Sequence, residues 1–426
     1  MNLEELYEIY LQYPSVQTDT RKLKKDDLFF ALKGPSFNGN EFAQKAIDAG
    51  AAYAIIDEEK FAIKGRTILV EDVLTSLQQL AKHHREQFQI PFIAITGSNG
   101  KTTTKELIHA VLSSTYITYT TEGNLNNHIG VPLTILKIKR DADMAVIEMG
   151  ANHLKEIESY CKIALPTHGL ITNCGKAHLE GFGGEEGVRK GKGELFDYLK
   201  KNKGTAFIMS DYSYLKEMSQ GISTIITYGT TGAQTEGVAK STGRYLQVQF
   251  KNGYTGNIQT NLVGDYNLPN VLAAVAVGKH FKVGDDNIRN AIENYQPTNS
   301  RSQFLEKDSN KIILDAYNAN PSSMKAAIGN FANTEGENKI LVLGAMAELG
   351  NSSINEHLNI VEEIKKHNWK DVVLVGGDFL KIDHPFQKFS SSTDAGNWLK
   401  NQKPENAYLL IKGSRSMQME KVLEFI

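Results

Sequence analysis

The residues best suited to chemistry lie between Ile93 and Lys105. There an apolar run, Ile93-Ala94-Ile95-Thr96, breaks into Gly97-Ser98-Asn99-Gly100-Lys101-Thr102-Thr103 and then a helical pattern. These types in this order suit a polyphosphate. Glycines let backbone N–H groups approach phosphate oxygens, the Lys101 ammonium neutralises charge, and the Thr102 hydroxyl can ligate magnesium. A helix opening at Lys101 adds its positive dipole end. The spacing Gly-x-x-Gly-Lys-Thr lacks the first glycine of the usual P-loop, because Ile95 stands there. The plain alternative is a strand-to-helix turn with a chance lysine. The buried strand before the loop and the helical run Glu106 to Leu112 after it favour the cradle.

Three further places carry candidate groups. Glu148 closes the apolar run Val146-Ile147-Glu148, where a carboxylate is costly unless paired. A magnesium ion held near Thr102 would pair it, and capping of the following helix is the alternative. His178 sits on a polar loop after the strand-like Gly169 to Thr172, and a lone histidine there reads equally as a hydrogen-bonding surface residue. Fourteen residues on, a helical run carries Arg189, Lys190 and Lys192, a solvated or a phosphate-binding face.

The elements that must position these groups fall into three segments. A chain of 426 residues exceeds one ordinary core and implies two or three domains. From Leu28 to Val70 short apolar runs flank a helical stretch, Glu41 to Ala49, which reads as a small β/α domain. From Pro91, parallel-type strands (Phe92 to Thr96, Met144 to Glu148, Gly169 to Thr172, Thr205 to Met209) alternate with helices. Residues 222–262 turn threonine-rich with short alternation, an expected antiparallel sheet added to that core. Pro297-Thr-Asn-Ser300 reads as a second linker. Beyond it, strand-like Lys311 to Asp315, Lys339 to Leu343, Asp371 to Val375 and Ala407 to Ile411 repeat the α/β grammar. The expected domains are 1–90, 91–298 and 299–426.

Composition bounds the partners. With 41% hydrophobic and 23% charged residues the chain reads as soluble and globular, and a formal charge of −2 gives no global field for nucleic acid. Cys161 and Cys174, the only cysteines, show no metal-like spacing and suggest a reducing compartment. The acidic start and the lack of a long apolar run predict neither a secretory signal nor membrane insertion, and a cytoplasmic protein is expected.

The ordered set TGSNGKTTTKELI, EGNLNNHIGVPLTIL, EMGANHLKEI, ITNCGKAHLEGFG, KGKGELF, GDYNLPNVLAA, DAYNANPSSM and VLGAMAELG resembles the Mur ligase family over essentially the whole chain. The resemblance implies an α/β protein of three domains. These are a small N-terminal β/α UDP-binding domain, a central P-loop ATPase-like domain with the added antiparallel sheet, and a C-terminal Rossmann-like ligase domain. It further implies that Thr96, Gly97, Ser98, Asn99, Gly100, Lys101, Thr102 and Thr103 cradle ATP, and that Thr102 and Glu148 serve the first of two magnesium ions. His178 is expected at the second. Lys192 corresponds to a family lysine that carries a carbamate made with CO2, which turns a cation into an anionic oxygen ligand. Lys190 competes by spacing, and the choice of Lys192 rests on the flanking Gly193-Glu194.

Asn267 and Asn270 match the family's adenine-contacting element, with Tyr266 in place of its histidine. Arg301 is expected on the terminal phosphate and Asp315 on the nucleotide ribose, so Lys101, His178, Lys192 and Arg301 form the expected catalytic set. Thr20 and Arg21 are candidate UDP contacts, beside Asn38-Gly39-Asn40 where the family usually shows Asp-Gly-His. Asn126 and Asn127 resemble residues facing the muramoyl substrate, loop and helix-cap asparagine being the alternative. Asn318 and Asn320 complete the substrate set.

The implied reaction is ATP-driven joining of D-alanyl-D-alanine to UDP-N-acetylmuramoyl-tripeptide through an acyl phosphate, by a monomer. A sister ligase adding one amino acid, a folate-polyglutamylating enzyme and, in another class, a non-ligating nucleotide-dependent binding protein are the alternatives. Glu148, His178 and Lys192 speak against the last, since a switch needs no second metal set.

Overall fold

The computed structural model describes residues 2–240, 244–298 and 300–426. Met1, in the acidic start, and Asn299, in the expected second linker, lie outside the described residues. Three main sheets organise the chain. The first is parallel and four-stranded, ordered Val16–Gln17, Leu28–Phe30, Tyr53–Ile56, Thr67–Leu69. Asn38 accepts from the Asn40 N–H at 3.0 Å and starts a 3-10 turn, Gly39–Phe42, so the helix expected from Glu41 begins only at Ala43–Asp48.

Helix Val73–Glu86 leads into the central sheet. Near its end Arg85 lies 3.7 Å over the Phe92 ring and donates to the carbonyls of Ala164, Leu165 and Phe88. A buried cation is tolerable there because every contact is an acceptor or a ring face.

The central sheet has nine strands. Phe92–Thr96 lies between His168–Ile171 and Met144–Glu148, all parallel. All five residues of Phe92–Thr96 and of Met144–Glu148 are buried, as expected of parallel strands covered on both faces. Their carboxyl ends therefore present the phosphate loop, Glu148 and the loop after Ile171 side by side, the edge where open α/β sheets bind ligands.

The threonine-rich segment departs from the antiparallel expectation at its first strand. Helix Ser213–Met218 is a crossover that returns the chain for Thr224–Gly229 to pair in parallel with Thr205–Met209. Thr235–Lys240 pairs in parallel with Thr224–Gly229 and antiparallel with Gln247–Asn252, which pairs antiparallel with Asn257–Gln259, so the expected antiparallel strands are added to the core as an extension of its sheet.

The third sheet has six strands, ordered Gln303–Lys307, Asn310–Asp315, Tyr408–Lys412, Lys339–Gly344, Asp371–Val375, Gln387–Phe389. Only the first pair is antiparallel. Among the described residues no helix is long and apolar enough to cross a membrane.

Candidate active site

The phosphate loop is shaped by its glycines and pinned by the neighbouring strand. Gly97 and Gly100 have φ of 144° and 79°, which disfavour any side chain. A Cβ would meet Thr172 Oγ1 at 2.0 Å from Gly97 and Asn270 Oδ1 at 2.6 Å from Gly100. Thr172 Oγ1 donates to Asn99 O at 2.6 Å, and Ser98 N to Asn173 O at 2.9 Å. Helix Lys101–Ser113 then begins, with the Thr102 side chain buried in its first turn. Lys101 Nζ donates to Gly97 O at 2.8 Å and Ser98 O at 3.3 Å. Burial lowers its pKa, Glu148 opposes that shift, and the charge of Arg301 adds to it.

Glu148 is 1% exposed. One oxygen accepts from Asn126 Nδ2 at 2.7 Å, while Oε2 has no partner among the described residues. A buried carboxylate oxygen without a donor is what a cation would satisfy. Among the described residues no three His, Cys, Asp or Glu gather as a cage. That sparse set fits magnesium, which keeps waters and phosphate oxygens and takes only one or two carboxylates.

His178 caps a short helix at φ 53°, and its Nδ1 pairs with Glu348 of the C-terminal unit. This leaves Nε2 as the ring nitrogen for a metal. Arg189 and Lys190 are exposed, whereas Lys192 is 1% exposed and lies behind the cleft wall, donating to Ala151 O at 2.9 Å. Burial first, then the charge of Lys101, pulls its pKa down to about 7. A lysine carrying a carbamate must first be a neutral amine, and this environment supplies one. Glu194 accepts from the N–H groups of Lys155 at 2.6 Å and Glu158 at 3.0 Å, so the Gly-Glu flank anchors the start of helix Glu156–Ala164.

A cleft of about 920 Å³ runs between the central and C-terminal units. It collects Ser98 to Thr103, Asn126, Asn127, Glu148, His178, Asn267, Asn270, Arg301, Asp315, Asn318 and Asn320. Thr96, Gly97 and Lys192 do not line it. Asn267 and Asn270 are buried and linked, Asn270 Nδ2 to Asn267 Oδ1 at 2.9 Å, while Thr104 Oγ1 donates to Asn270 Oδ1 at 3.0 Å. The network fixes both amides against the phosphate-loop helix and leaves each a further N–H and lone pair. Arg301 stacks 3.6 Å over the Tyr317 ring. Asn127 Oδ1 accepts from the N–H groups of Ile129 and Gly130, a capping role beside its place in the cleft. Thr20 and Arg21 are not brought here; the Arg21 side chain is 84% exposed and pairs with Asp19 on the N-terminal unit.

Among the cleft residues that the sequence analysis gave no role are Glu348, Tyr317 and Lys412. Lys412 is 2% exposed and holds Asp315 at 2.6 Å, so the expected ribose contact is already an ion pair. The only local signal was a strand ending in Lys412-Gly413-Ser414, a weak one. Lys176 crosses to the C-terminal unit through Glu356 at 2.7 Å.

A phosphate loop on a parallel sheet, an underpaired carboxylate beside it and an arginine brought from a second α/β unit define a nucleotide-dependent phosphoryl-transfer enzyme. Residues 12–85 match the "Mur ligase family, catalytic domain", 95–278 the "Mur ligase middle domain" and 300–415 the "Mur ligase, glutamate ligase domain". The chain is 35% identical to UDP-N-acetylmuramoyl-tripeptide--D-alanyl-D-alanine ligase of Bacillus subtilis, covering 96% of this chain and 92% of the relative. The Escherichia coli enzyme of the same name is 36% identical over the same shares. Among solved structures, MurF from Acinetobacter baumannii superposes with a TM-score of 0.87 at 31% identity, covering 96% and 92% of the two chains. MurF ligase from Thermotoga maritima in complex with ADP gives 0.87 at 26%, covering 97% of each. The chain belongs to the Mur ligase family.

Proposed function

We infer that this protein joins D-alanyl-D-alanine to UDP-N-acetylmuramoyl-tripeptide with ATP, in peptidoglycan precursor synthesis. The observation that carries the reading is the end-to-end similarity to ligases of that name, 35% identity over 96% of the chain, with the candidate residues gathered in one cleft. The tripeptide carboxylate attacks the γ-phosphate of ATP, giving an acyl phosphate and ADP. The free amine of the dipeptide then attacks the acyl carbon, phosphate leaves, and an amide forms. Both steps concentrate negative charge, which Lys101 and Arg301 offset from opposite walls.

Magnesium, when bound, supplies further charge neutralisation between the phosphates and the protein. Thr102 and Glu148 would hold one ion, and His178 with a carbamate on Lys192 a second. Asn267 and Asn270 would face the adenine, Asp315 the ribose, and Asn126, Asn127, Asn318 and Asn320 the two substrates. Thr20 and Arg21 would meet the UDP moiety on the N-terminal unit. The three units correspond to 1–90, 91–298 and 299–426, and closure of the last over the cleft would shield the acyl phosphate from water.

The test offers the enzyme, ATP, magnesium and the tripeptide precursor a choice of amines. D-alanyl-D-alanine is joined in preference to glutamate, lysine or diaminopimelate. A preference for any single amino acid would place the chain with a sister ligase instead.

A further inference from the structure

We propose that the Tyr266 hydroxyl, through Ser302, is the positioning group that sets Arg301 in the cleft. This rests on the reading of Arg301 as the arginine that meets the terminal phosphate. Tyr266 lies in the 3-10 turn Asp265–Asn267 of the central unit, and Ser302 immediately follows Arg301 at the entry to the C-terminal unit. Their hydroxyl oxygens are 3.0 Å apart, and either can donate.

The backbone around Arg301 needs such a tie. Ser300 and Ser302 have φ of 55° and 48°, so Arg301 sits between two non-glycine residues in the left-handed region. That conformation persists only where the surroundings over-determine it. Two contacts fix Ser302. Its hydroxyl meets Tyr266, and its N–H donates to Asp315 Oδ1 at 3.2 Å, with Asp315 held in turn by the buried Lys412. The Asp315 contact lies wholly within the C-terminal unit. Among the described residues, the Tyr266 contact is the hydrogen bond that joins Ser302 to the unit that carries the phosphate loop.

Tyr266 is itself firmly placed. Its ring packs so closely on Gly264 that a Cβ there would lie 2.4 Å from it. The next residue, Asn267, begins the amide chain through Asn270 to Thr104 on the phosphate-loop helix. Two hydrogen bonds, the Tyr266–Asn267 backbone and the Tyr266–Ser302 contact thus connect the phosphate-loop helix to the residue beside Arg301. Its effect is to orient the guanidinium, stacked 3.6 Å over Tyr317, toward the cleft that Lys101 shares.

The experiment is a double-mutant cycle in the full-length protein: Tyr266→Phe, Ser302→Ala and the pair together, with Arg301→Ala alongside. Ligation rate, ADP affinity and thermal midpoint are measured for each. Each single change should lower kcat about tenfold, the loss expected for one hydrogen bond acting on the transition state. The double variant should be no slower than either single one, because they remove the same contact. ADP affinity should stay at the wild-type value, and any fall in thermal midpoint should be no larger in the double variant than in either single one. Multiplying effects in the double variant would overturn the proposal. So would weakened ADP binding in Tyr266→Phe, which would put the hydroxyl on the nucleotide. A normal Tyr266→Phe beside an inactive Arg301→Ala overturns the positioning role alone, and an active Arg301→Ala overturns the reading of Arg301 and the positioning role with it.

Discussion

Asn320 donates its side-chain amide to Asn99 Oδ1 at 2.7 Å, so the C-terminal unit touches the phosphate loop itself. The same Asn320 caps helix Pro321–Asn333, its Oδ1 accepting from Ser323 N at 2.9 Å. One side chain therefore both starts a helix and reports closure over the loop. Asn99→Ala removes only the closing contact and should lower kcat/KM for ATP about tenfold, in line with one lost hydrogen bond, while leaving the thermal midpoint unchanged. Asn320→Ala should show the same kinetic loss plus destabilisation of about 1 kcal/mol from the missing cap. Steady-state kinetics and thermal melts on the two variants separate the roles.

Lys101→Ala removes the ammonium from the glycine-rich cradle. The helix it opens has Thr102, Thr104 and Leu107 buried behind it, so the fold should survive. ADP formation should fall by about a thousandfold or more, as for other losses of a preorganised charge at a transferring phosphoryl group. Near-normal turnover in a folded variant would remove the loop from the chemistry.

Much of this arrangement was legible in the sequence, for reasons that differ by residue. Strands Phe92–Thr96 and Met144–Glu148 fall where they were read, because a fully buried parallel strand is an unbroken apolar run. The loop after Thr96 was legible from its context, a buried strand before Gly97 and a helical run after Lys101, more than from Gly-Lys-Thr itself. The pairing direction of Thr224–Gly229 was not, because it depends on the crossover before Thr224 and not on the composition of the strand. Lys412 was hidden for a topological reason. It stands 97 residues from Asp315 and meets it only because the two strands pair in parallel with those residues in register. Glu348 and His178 likewise belong to different units, and neither segment mentions the other.

The Lys192 amine should give the protein an alkaline stability increment. Its folded pKa, about 7, lies below the ordinary lysine value of 10.5, so between those limits the unfolded chain binds more protons than the folded one. Stability should rise with pH across that window. Lys192→Met should flatten the rise, which denaturant titrations at pH 7 and pH 9 would show. An identical slope in both proteins would mean that the amine is not desolvated as described. Lys192→Ala should also be nearly inactive and partly rescued by a short carboxylic acid that supplies the missing oxygens.

The Glu348 and His178 pair spans the cleft. Contact with His178 holds the Glu348 carboxyl below its ordinary range, so the pair favours closure at neutral pH and is lost in acid, as pH falls through the lowered value. Glu348→Gln should make the closed form less populated at neutral pH, read as a larger radius of gyration by solution scattering. It should also weaken second-site Mn2+ binding, read by electron paramagnetic resonance. Unchanged scattering and unchanged metal binding would leave this pair a surface contact.

Isotope transfer in the complete reaction tests the account most directly. The tripeptide precursor is labelled with 18O in both oxygens of the reacting carboxylate and incubated with ATP, magnesium and D-alanyl-D-alanine. Phosphate and peptide product are then weighed by mass spectrometry. The account predicts one 18O in each released phosphate and one in the new amide, because the oxygen that attacks the γ-phosphate leaves with it. Unlabelled phosphate accompanying the joined product, or ADP release that proceeds equally well without the dipeptide, would contradict it.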